Sequence, residues 1–306
     1  MPFLTVCLNP TIQKTLCFSS VAPGMVNRTA VHRLDVSGKG INVTRVLTQL
    51  GKKAVHLSQL GGELRPLFLS LCEQDGLFIE WVESRSPIRF CYTILTKSGT
   101  ACPASGNSET VITELVEESQ PVGGGTEDRL LQRFDAIINK QTPSYMIVSG
   151  TKAAGYSDEL IPGMVRKAKE KGIKTILDIR GKDLINSLQY QPDIIKPNLF
   201  EFADTFALTE TDKAQVKAAM LDVIEKYGCR IILTDGGGII RAADSGGPFE
   251  IEIQPVNAVN TIGCGDAFTA GLASALDEGA SFKEAINEGI RCGALNAMLI
   301  KPGVIT

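Results

Sequence analysis

Tyr145-Met146-Ile147-Val148-Ser149 is an apolar run of strand length. Leu160, Ile161, Met164, Val165 and Ala168 follow at helical spacing, and then comes a second run, Thr175-Ile176-Leu177-Asp178. The first and last read as buried strands and the stripe between them as one face of a helix, with Ser157 expected at its N-cap and Gly172 at its stop. The same rhythm extends in both directions. Strands are expected at Thr5–Leu8, Ala54–Leu57, Phe78–Val82, Asp193–Lys196, Arg230–Thr234 and Ile239–Ala242. Helices are expected where Val43, Val46, Leu47 and Leu50 lead to Gly51, and where Val216, Met220, Val223 and Tyr227 lead to Gly228. Two more are expected over Asp266–Glu278 and Phe282–Leu299, the last opened by a Ser281-x-x-Glu284 capping box. Strands alternating with helices predict an α/β fold with a mostly parallel sheet.

Two stretches depart from this pattern. Thr15–Val36 and Ile88–Ala104 alternate like strands with no helix between, so they are expected to pair as a small antiparallel β lid, drawn from about residues 12–36 and 86–106. Glu117–Asp128, with Gly123-Gly124-Gly125, reads as an exposed loop. The whole of 1–306 reads as a single domain, a large body carrying this lid.

Composition removes several function classes. Asp and Glu number 34 against 31 Lys and Arg, a balance that argues against a nucleic-acid or anionic-membrane partner. Eight cysteines form no C-x-x-C pair and only His32 and His56 could join them, so a structural zinc site is not expected. The N-terminus lacks the basic segment of a signal peptide and no apolar run approaches 18 residues, which predicts a reducing, cytoplasmic setting.

The chemistry concentrates where glycines open helices. Asn260-Thr261-Ile262-Gly263-Cys264-Gly265-Asp266-Ala267-Phe268 is a turn of small residues running into a helix. The first N–H groups there lack intrahelical acceptors, the helix dipole adds partial positive charge, and glycines let an anion approach the backbone. Asp266 can be an ordinary first-turn carboxylate, or an acid beside a phosphate pocket that takes a proton from an attacking hydroxyl. A second turn, Ser37-Gly38-Lys39-Gly40-Ile41-Asn42-Val43-Thr44-Arg45, repeats the arrangement with Lys39 as an anion contact and Asn42 as donor and acceptor for sugar hydroxyls. Neither Walker A nor G-x-G-x-x-G is present.

Taken in order, these segments resemble the ribokinase-like family in its phosphofructokinase-B branch, and within it the 1-phosphofructokinase and tagatose-6-phosphate kinase group. Asn9-Pro10-Thr11, Gly24-x-Val26-Asn27-Arg28, Gly38-Lys39-Gly40-Ile41-Asn42-Val43-x-Arg45, Lys196-Pro197-Asn198-Leu199-Phe200-Glu201 and Gly263-x-Gly265-Asp266 carry the resemblance across nearly the whole chain. It implies a three-layer α/β/α body with the β lid, and ATP-dependent, Mg²⁺-dependent phosphorylation of a sugar-phosphate hydroxyl. Asp266 would be the general base, and the amides of Gly263, Cys264, Gly265 and Asp266 the anion hole. Lys196, Asn198, Thr234, Asp235, Gly236 and Asn296 would form the nucleotide side, with Asn198 and Glu201 organising Mg²⁺ through water. Gln13, Arg28, Gly38, Lys39, Asn42 and Arg89 would face the acceptor, and the lid would pair with that of a second subunit.

Gln13 stands where the family usually has Asp, which exchanges a charged acceptor for a neutral amide and points to a different acceptor from fructose 1-phosphate. Cys264, at a helix N-terminus, is expected to have a lowered thiol pKa and to be sensitive to alkylation. Two other readings stay open: a kinase for an unphosphorylated sugar or nucleoside, and a non-catalytic sugar-phosphate sensor.

Overall fold

The computed structural model describes residues 2–97, 110–209 and 212–306; positions 98–106 of the expected lid lie outside them. Its elements in chain order are β1 (Phe3–Val6), β2 (Thr11–Phe18), β3 (His32–Ser37), α1 (Lys39–Gln49), β4 (Ala54–Gly61), α2 (Arg65–Gln74), β5 (Phe78–Ser84), β6 (Arg89–Lys97), β7 (Thr110–Val116), α3 (Thr126–Gln141), β8 (Tyr145–Ser149), α4 (Leu160–Glu170), β9 (Lys174–Asp178), α5 (Gly181–Leu188), β10 (Ile194–Ile195), α6 (Leu199–Thr205), α7 (Lys213–Tyr227), β11 (Arg230–Leu233), β12 (Ile239–Asp244), β13 (Gly247–Glu252), α8 (Cys264–Asp277) and α9 (Phe282–Ala297).

Successive strand side chains point to opposite faces, and here each face has its own core. Phe3, Tyr145, Ile147, Ile176, Ile194 and Ile232 pack with α1, α8 and α9. Leu4, Val6, Met146, Val148, Leu177, Ile195, Ile231 and Leu233 pack with α3 to α7 on the other side. A sheet covered on both faces makes the three layers. The strand order is β13-β12-β11-β10-β9-β8-β1-β4-β5. Pairing is parallel from β11 through β5, and β12 and β13 add an antiparallel edge.

Several local expectations are corrected. The first strand begins at Phe3 rather than Thr5, because its pairing with β4 and β8 starts there. Ser157 does not cap α4; Glu159 holds that position, and the Ser157 N–H and hydroxyl donate to the Glu127 carboxylate instead. The capping box at Ser281 and Glu284 is present. Helices α2, α3, α5 and α6 and strand β13 were not anticipated.

The second sheet has the order β3-β2-β6-β7. Its outer pairs are antiparallel, but β2 and β6 run parallel. The reason is connectivity: β2 follows β1 and β6 follows β5, so both leave the same rim of the main sheet in the same direction. Residues 110–116 supply a fourth strand beyond the two expected segments. The lid root, α1 and α2 share a third apolar cluster including Ile12, Val36, Ile41, Phe68 and Ile88. Lid strand β3 runs directly into α1, so both structures meet where the parallel strands end.

Candidate active site

In open α/β sheets the strand C-termini form the crevice that binds ligands. Here that rim gathers the ends of β8, β9, β10 and β11 beneath the N-termini of α1 and α8. Helix α1 can start where it does because Gly38 adopts φ 112° and Gly40 has no side chain. A Cβ on Gly40 would stand 2.7 Å from Cys7 Cβ and 2.9 Å from His56 Cε1. At α8 the N-cap is Gly263, φ 84°, pressed against Pro302 and Gly303. Among the described residues, the N–H groups of Gly263, Gly265 and Asp266 carry no hydrogen bond. The Cys264 N–H donates to Thr261 O at 3.2 Å, so the expected anion hole has three free amides rather than four.

Five ionisable side chains converge there. Asp266 is buried, 5% exposed, and its Oδ2 accepts from Asn42 Nδ2 at 2.8 Å. Asp178, at the last position of β9, accepts from Ser149 Oγ (3.2 Å) and Thr269 Oγ1 (3.4 Å). It faces Lys196 Nζ at 3.3 Å and Lys39 Nζ at 3.7 Å. Lys39 also meets Glu201 Oε1 at 3.3 Å. Burial pushes the Asp178 carboxyl up, but Lys196 and Lys39 together hold it below its ordinary value. Lys39 is driven the other way, its pKa raised chiefly by Asp178 against the cost of burial, with Glu201 and Asp266 adding to it.

Asp266 behaves differently because the two lysines are already matched by Asp178 and Glu201. Its pKa is raised to about 6, the balance of burial, which lifts it most, Lys39, which pulls it down, Asp178, which pushes it up, and the Asn42 hydrogen bond and Lys196, which pull it down. Such a carboxylate can take a proton near neutral pH without being permanently protonated. A Cβ on Gly265 would be 3.8 Å from Lys196 Nζ, so that ammonium sits beside the free amides of α8.

The nucleotide-side candidates divide. Asn198 and Glu201 form a capping box for α6: Asn198 Oδ1 accepts the Glu201 N–H (2.7 Å) and Glu201 Oε2 accepts the Asn198 N–H (3.0 Å). The Leu199 N–H donates to Thr234 O at 2.8 Å, which ties this element to the Thr234-Asp235-Gly236 turn. Asn198, Leu199, Phe200, Thr234, Asp235 and Gly236 line an open cleft of about 540 Å³ with Lys213 and Arg241, two residues the sequence reading does not place at the site. Asn296 is not on an open pocket wall. It is fully buried, its Nδ2 donating to Ile262 O (2.9 Å) and its Oδ1 accepting from the N–H groups of Gly303 (2.6 Å) and Val304 (3.3 Å). It braces the anion-binding turn against the C-terminal segment.

The thiol expectation at Cys264 is overturned. Burial pushes it up to about 11, outweighing the hydrogen bond from Asn296. The amide of Cys264 is already bonded and its side chain is partly covered, so the helix terminus does not act on it as on an exposed thiol.

On the acceptor side, Gln13 is buried in β2 with its Nε2 donating to Thr93 Oγ1. Arg89 Nη1 donates to Glu117 O at 2.6 Å, while its Nε is buried with no partner among the described residues. Arg28 is exposed on the loop between β2 and β3, a loop shaped by Asn27, whose amide bonds Ala22 and Met25. Asn42 has its Oδ1 committed to Arg45 and one amide hydrogen to Asp266, so less of it is open to sugar hydroxyls than the sequence suggested. In the sequence Asp178 and Ser149 read only as strand ends, not as part of this cluster. The available signal was a carboxylate ending a buried parallel strand, the position where such sheets place ligand-facing groups.

Free helix-start amides, two buried or half-buried lysines and a buried carboxylate of raised pKa share one α/β rim, an arrangement suited to phosphoryl transfer. The pfkB family carbohydrate kinase model matches residues 12–299, and the chain belongs to that family of kinases. It is 29% identical over 307 residues to a tagatose-6-phosphate kinase of Staphylococcus epidermidis, covering 99% of this chain and 94% of that one. Among solved structures it resembles Escherichia coli phosphofructokinase-2 in complex with substrates and products, with a TM-score of 0.83, 21% identity and coverage of 97% and 94%. A possible 1-phosphofructokinase from Thermotoga maritima gives a TM-score of 0.86 at 18% identity, covering 98% and 93%. Among the described residues, no helix is long and apolar enough to cross a membrane.

Proposed function

We propose that this kinase transfers the γ-phosphoryl group of ATP to a hydroxyl of a sugar phosphate, with Asp266 as the general base. The observation that carries this reading is the placement of Asp266: buried, with its pKa lifted to about 6, in the first turn of a helix whose neighbouring amides are free. The acceptor oxygen attacks the γ-phosphorus as its proton passes to the Asp266 carboxylate. The bond from phosphorus to the bridging oxygen breaks, ADP leaves, and the proton later passes to solvent. The amides of Gly263, Gly265 and Asp266, with Lys196, face the charge that accumulates on the transferring oxygens.

The cleft at Asn198, Thr234, Asp235 and Gly236 suits the rest of the nucleotide, its open turn letting phosphates approach backbone. The residues present also fit Mg²⁺ held through water: Asn198 and Glu201 already use oxygens in the capping box, which disfavours direct ligation, while Asn198 lines the cleft and Glu201 Oε1 faces Lys39. Mg²⁺ bound there would screen phosphate charge.

For the acceptor, Gln13, Gly38, Lys39, Asn42, Arg28 and Arg89 lie on or below the lid, and Arg28 and Arg89 would neutralise the phosphate already on the sugar. The lid also exposes Met25, Val26, Val31, Val111, Leu115 and Val116, an apolar set suited to pairing with a second copy's lid.

The deciding experiment measures ADP release with hexoses, hexose 1-phosphates, hexose 6-phosphates and nucleosides, each with Asp266→Asn as control. A sugar phosphate is expected to give the highest kcat/KM. Preference for an unphosphorylated sugar or a nucleoside would overturn the acceptor class, and binding without turnover on every compound would overturn the kinase mechanism.

A further inference from the structure

Arg45 lies three residues beyond Asn42 on α1, is 4% exposed, and takes no part in the transfer chemistry above. All three nitrogens of its guanidinium donate, four of the five N–H groups finding acceptors among the described residues. Nε donates to Asp75 Oδ2 (2.9 Å) and Nη2 to Val36 O (2.6 Å). Nη1 reaches both Pro302 O (2.9 Å) and Asn42 Oδ1 (2.9 Å). Three separate segments therefore hold it: the end of β3, the C-cap of α2 and the C-terminal stretch. Lys301 strengthens the frame by bonding Asp75 and approaching Asp35 at 3.5 Å. Gly303 presses on the pair, since a Cβ there would stand 2.8 Å from Asn42 Cα and 2.9 Å from Arg45 Nη1.

A guanidinium can only donate. The oxygen of the Asn42 amide must therefore face Arg45, which leaves its nitrogen facing Asp266 Oδ2. The flipped amide would set donor against donor on one side and oxygen against carboxylate on the other. We propose that Arg45 is a positioning residue for phosphoryl transfer, locking the Asn42 amide with its N–H toward Asp266. The carboxylate is thereby tethered through Oδ2, and Oδ1, which accepts no hydrogen bond among the described residues, is left to receive the acceptor proton. This inference rests on Asp266 being the base.

The test is a double-mutant cycle of Arg45→Met and Asn42→Ala, following kcat, both KM values and the pH profile of kcat. Arg45→Met is expected to lower kcat about tenfold, leave both KM values within about twofold, and move the acid limb up by about one pH unit, because an untethered carboxylate loses a charge-assisted hydrogen bond. The groups facing Asp266 are Lys39 on α1, Asp178 on β9, Lys196 after β10 and the thiols of Cys7 and Cys264. All stay in place, so the limb reports on the amide.

In an Asn42→Ala background, Arg45→Met is expected to shift the limb no further. A second full shift there would mean that the Arg45 charge acts through space, and would overturn the relay. Reduced stability with an unmoved limb in the folded enzyme would mark Arg45 as structural only. Asn42→Ala removes no charge and must itself reproduce the shift; an unmoved limb in that variant overturns the proposal whether or not Arg45→Met folds. If Asp266→Asn stays active, the base assignment has failed instead. If Asp266→Asn is inactive while neither partner moves the limb, only the relay has failed.

Discussion

Replacing Asp266 with Asn is expected to destroy activity and to stabilise the fold, two effects with separate causes. With all five groups ionised, the cluster holds two positive charges, Lys39 and Lys196, against three negative ones, Asp178, Glu201 and Asp266. Asp266 is the surplus, and burial lifts its pKa to about 6 from 3.8. Below pH 4 the side chain is protonated in folded and unfolded chains alike. Between about pH 4 and 6 the unfolded chain releases the proton while the folded one keeps it, so stability falls as pH rises, then levels off above the folded value. A displacement of about two pH units corresponds to about 3 kcal/mol. Asn cannot ionise and keeps the donor Asn42 near an amide oxygen. Chemical denaturation of both proteins at pH 4 and pH 8 is therefore expected to give similar stabilities at pH 4 and an advantage for Asp266→Asn of up to about 3 kcal/mol at pH 8. Turnover of the same variant is expected to drop by about 10² to 10⁴, the usual contribution of a general base. An Asn variant that is less stable than the parent at pH 8, or that keeps more than a tenth of its turnover, would refute the electrostatic account or the base assignment respectively.

The same pKa, that of the free enzyme, places the acid limb of the parent enzyme's kcat/KM profile near pH 6, and a limb below pH 4.5 would show that Asp266 is not the titrating group. Replacing Arg28 or Arg89 with Ala is expected to raise the acceptor KM about tenfold or more while leaving the ATP KM within about twofold, because charge-assisted phosphate contacts contribute about 1.5–3 kcal/mol; equal effects on both would remove them from the acceptor side. Cys264, its thiol pushed up to about 11, is expected to react with iodoacetamide at pH 7.5 at least tenfold more slowly than free cysteine, as mass spectrometry of the modified peptide would reveal. Gly40→Ala puts a methyl group 2.7 Å from Cys7 Cβ and is expected to cost about 1–3 kcal/mol in denaturant unfolding, with α1 and its Lys39 displaced; an unchanged midpoint would mean the wall at Cys7 and His56 yields freely.

The sequence by itself determined the α/β class, most of the main-sheet strands and the two helix-start turns. These are local properties: apolar runs, helical stripes and glycines at helix starts. It also singled out Asp266, Lys39, Lys196, Asn198 and Glu201 as candidates, since each sits in a short contiguous motif, and the structure brings their side chains to one rim. Helices such as α3 were harder to read, because their buried residues Leu130, Phe134, Ile137 and Ile138 are surrounded by charge and follow a glycine run.

Only the tertiary structure decided how the motifs act on one another. Asp178 is unremarkable as the end of a strand until Lys39 and Lys196 arrive from positions 139 residues before it and 18 after it in the chain. Asn296 looked like an exposed helix residue or a pocket wall, yet it braces the turn before α8, because the C-terminal segment folds back over it. Cys264 stands at a helix N-terminus, where the motif suggests an acidic thiol, but burial raises its pKa. The parallel join of β2 and β6 follows from which rim each strand leaves. Charge, burial and amide orientation depend on neighbours distant in the chain, so the proton affinity of Asp266 belongs to the assembled rim, whereas its place in a helix-start motif was written in nine consecutive residues.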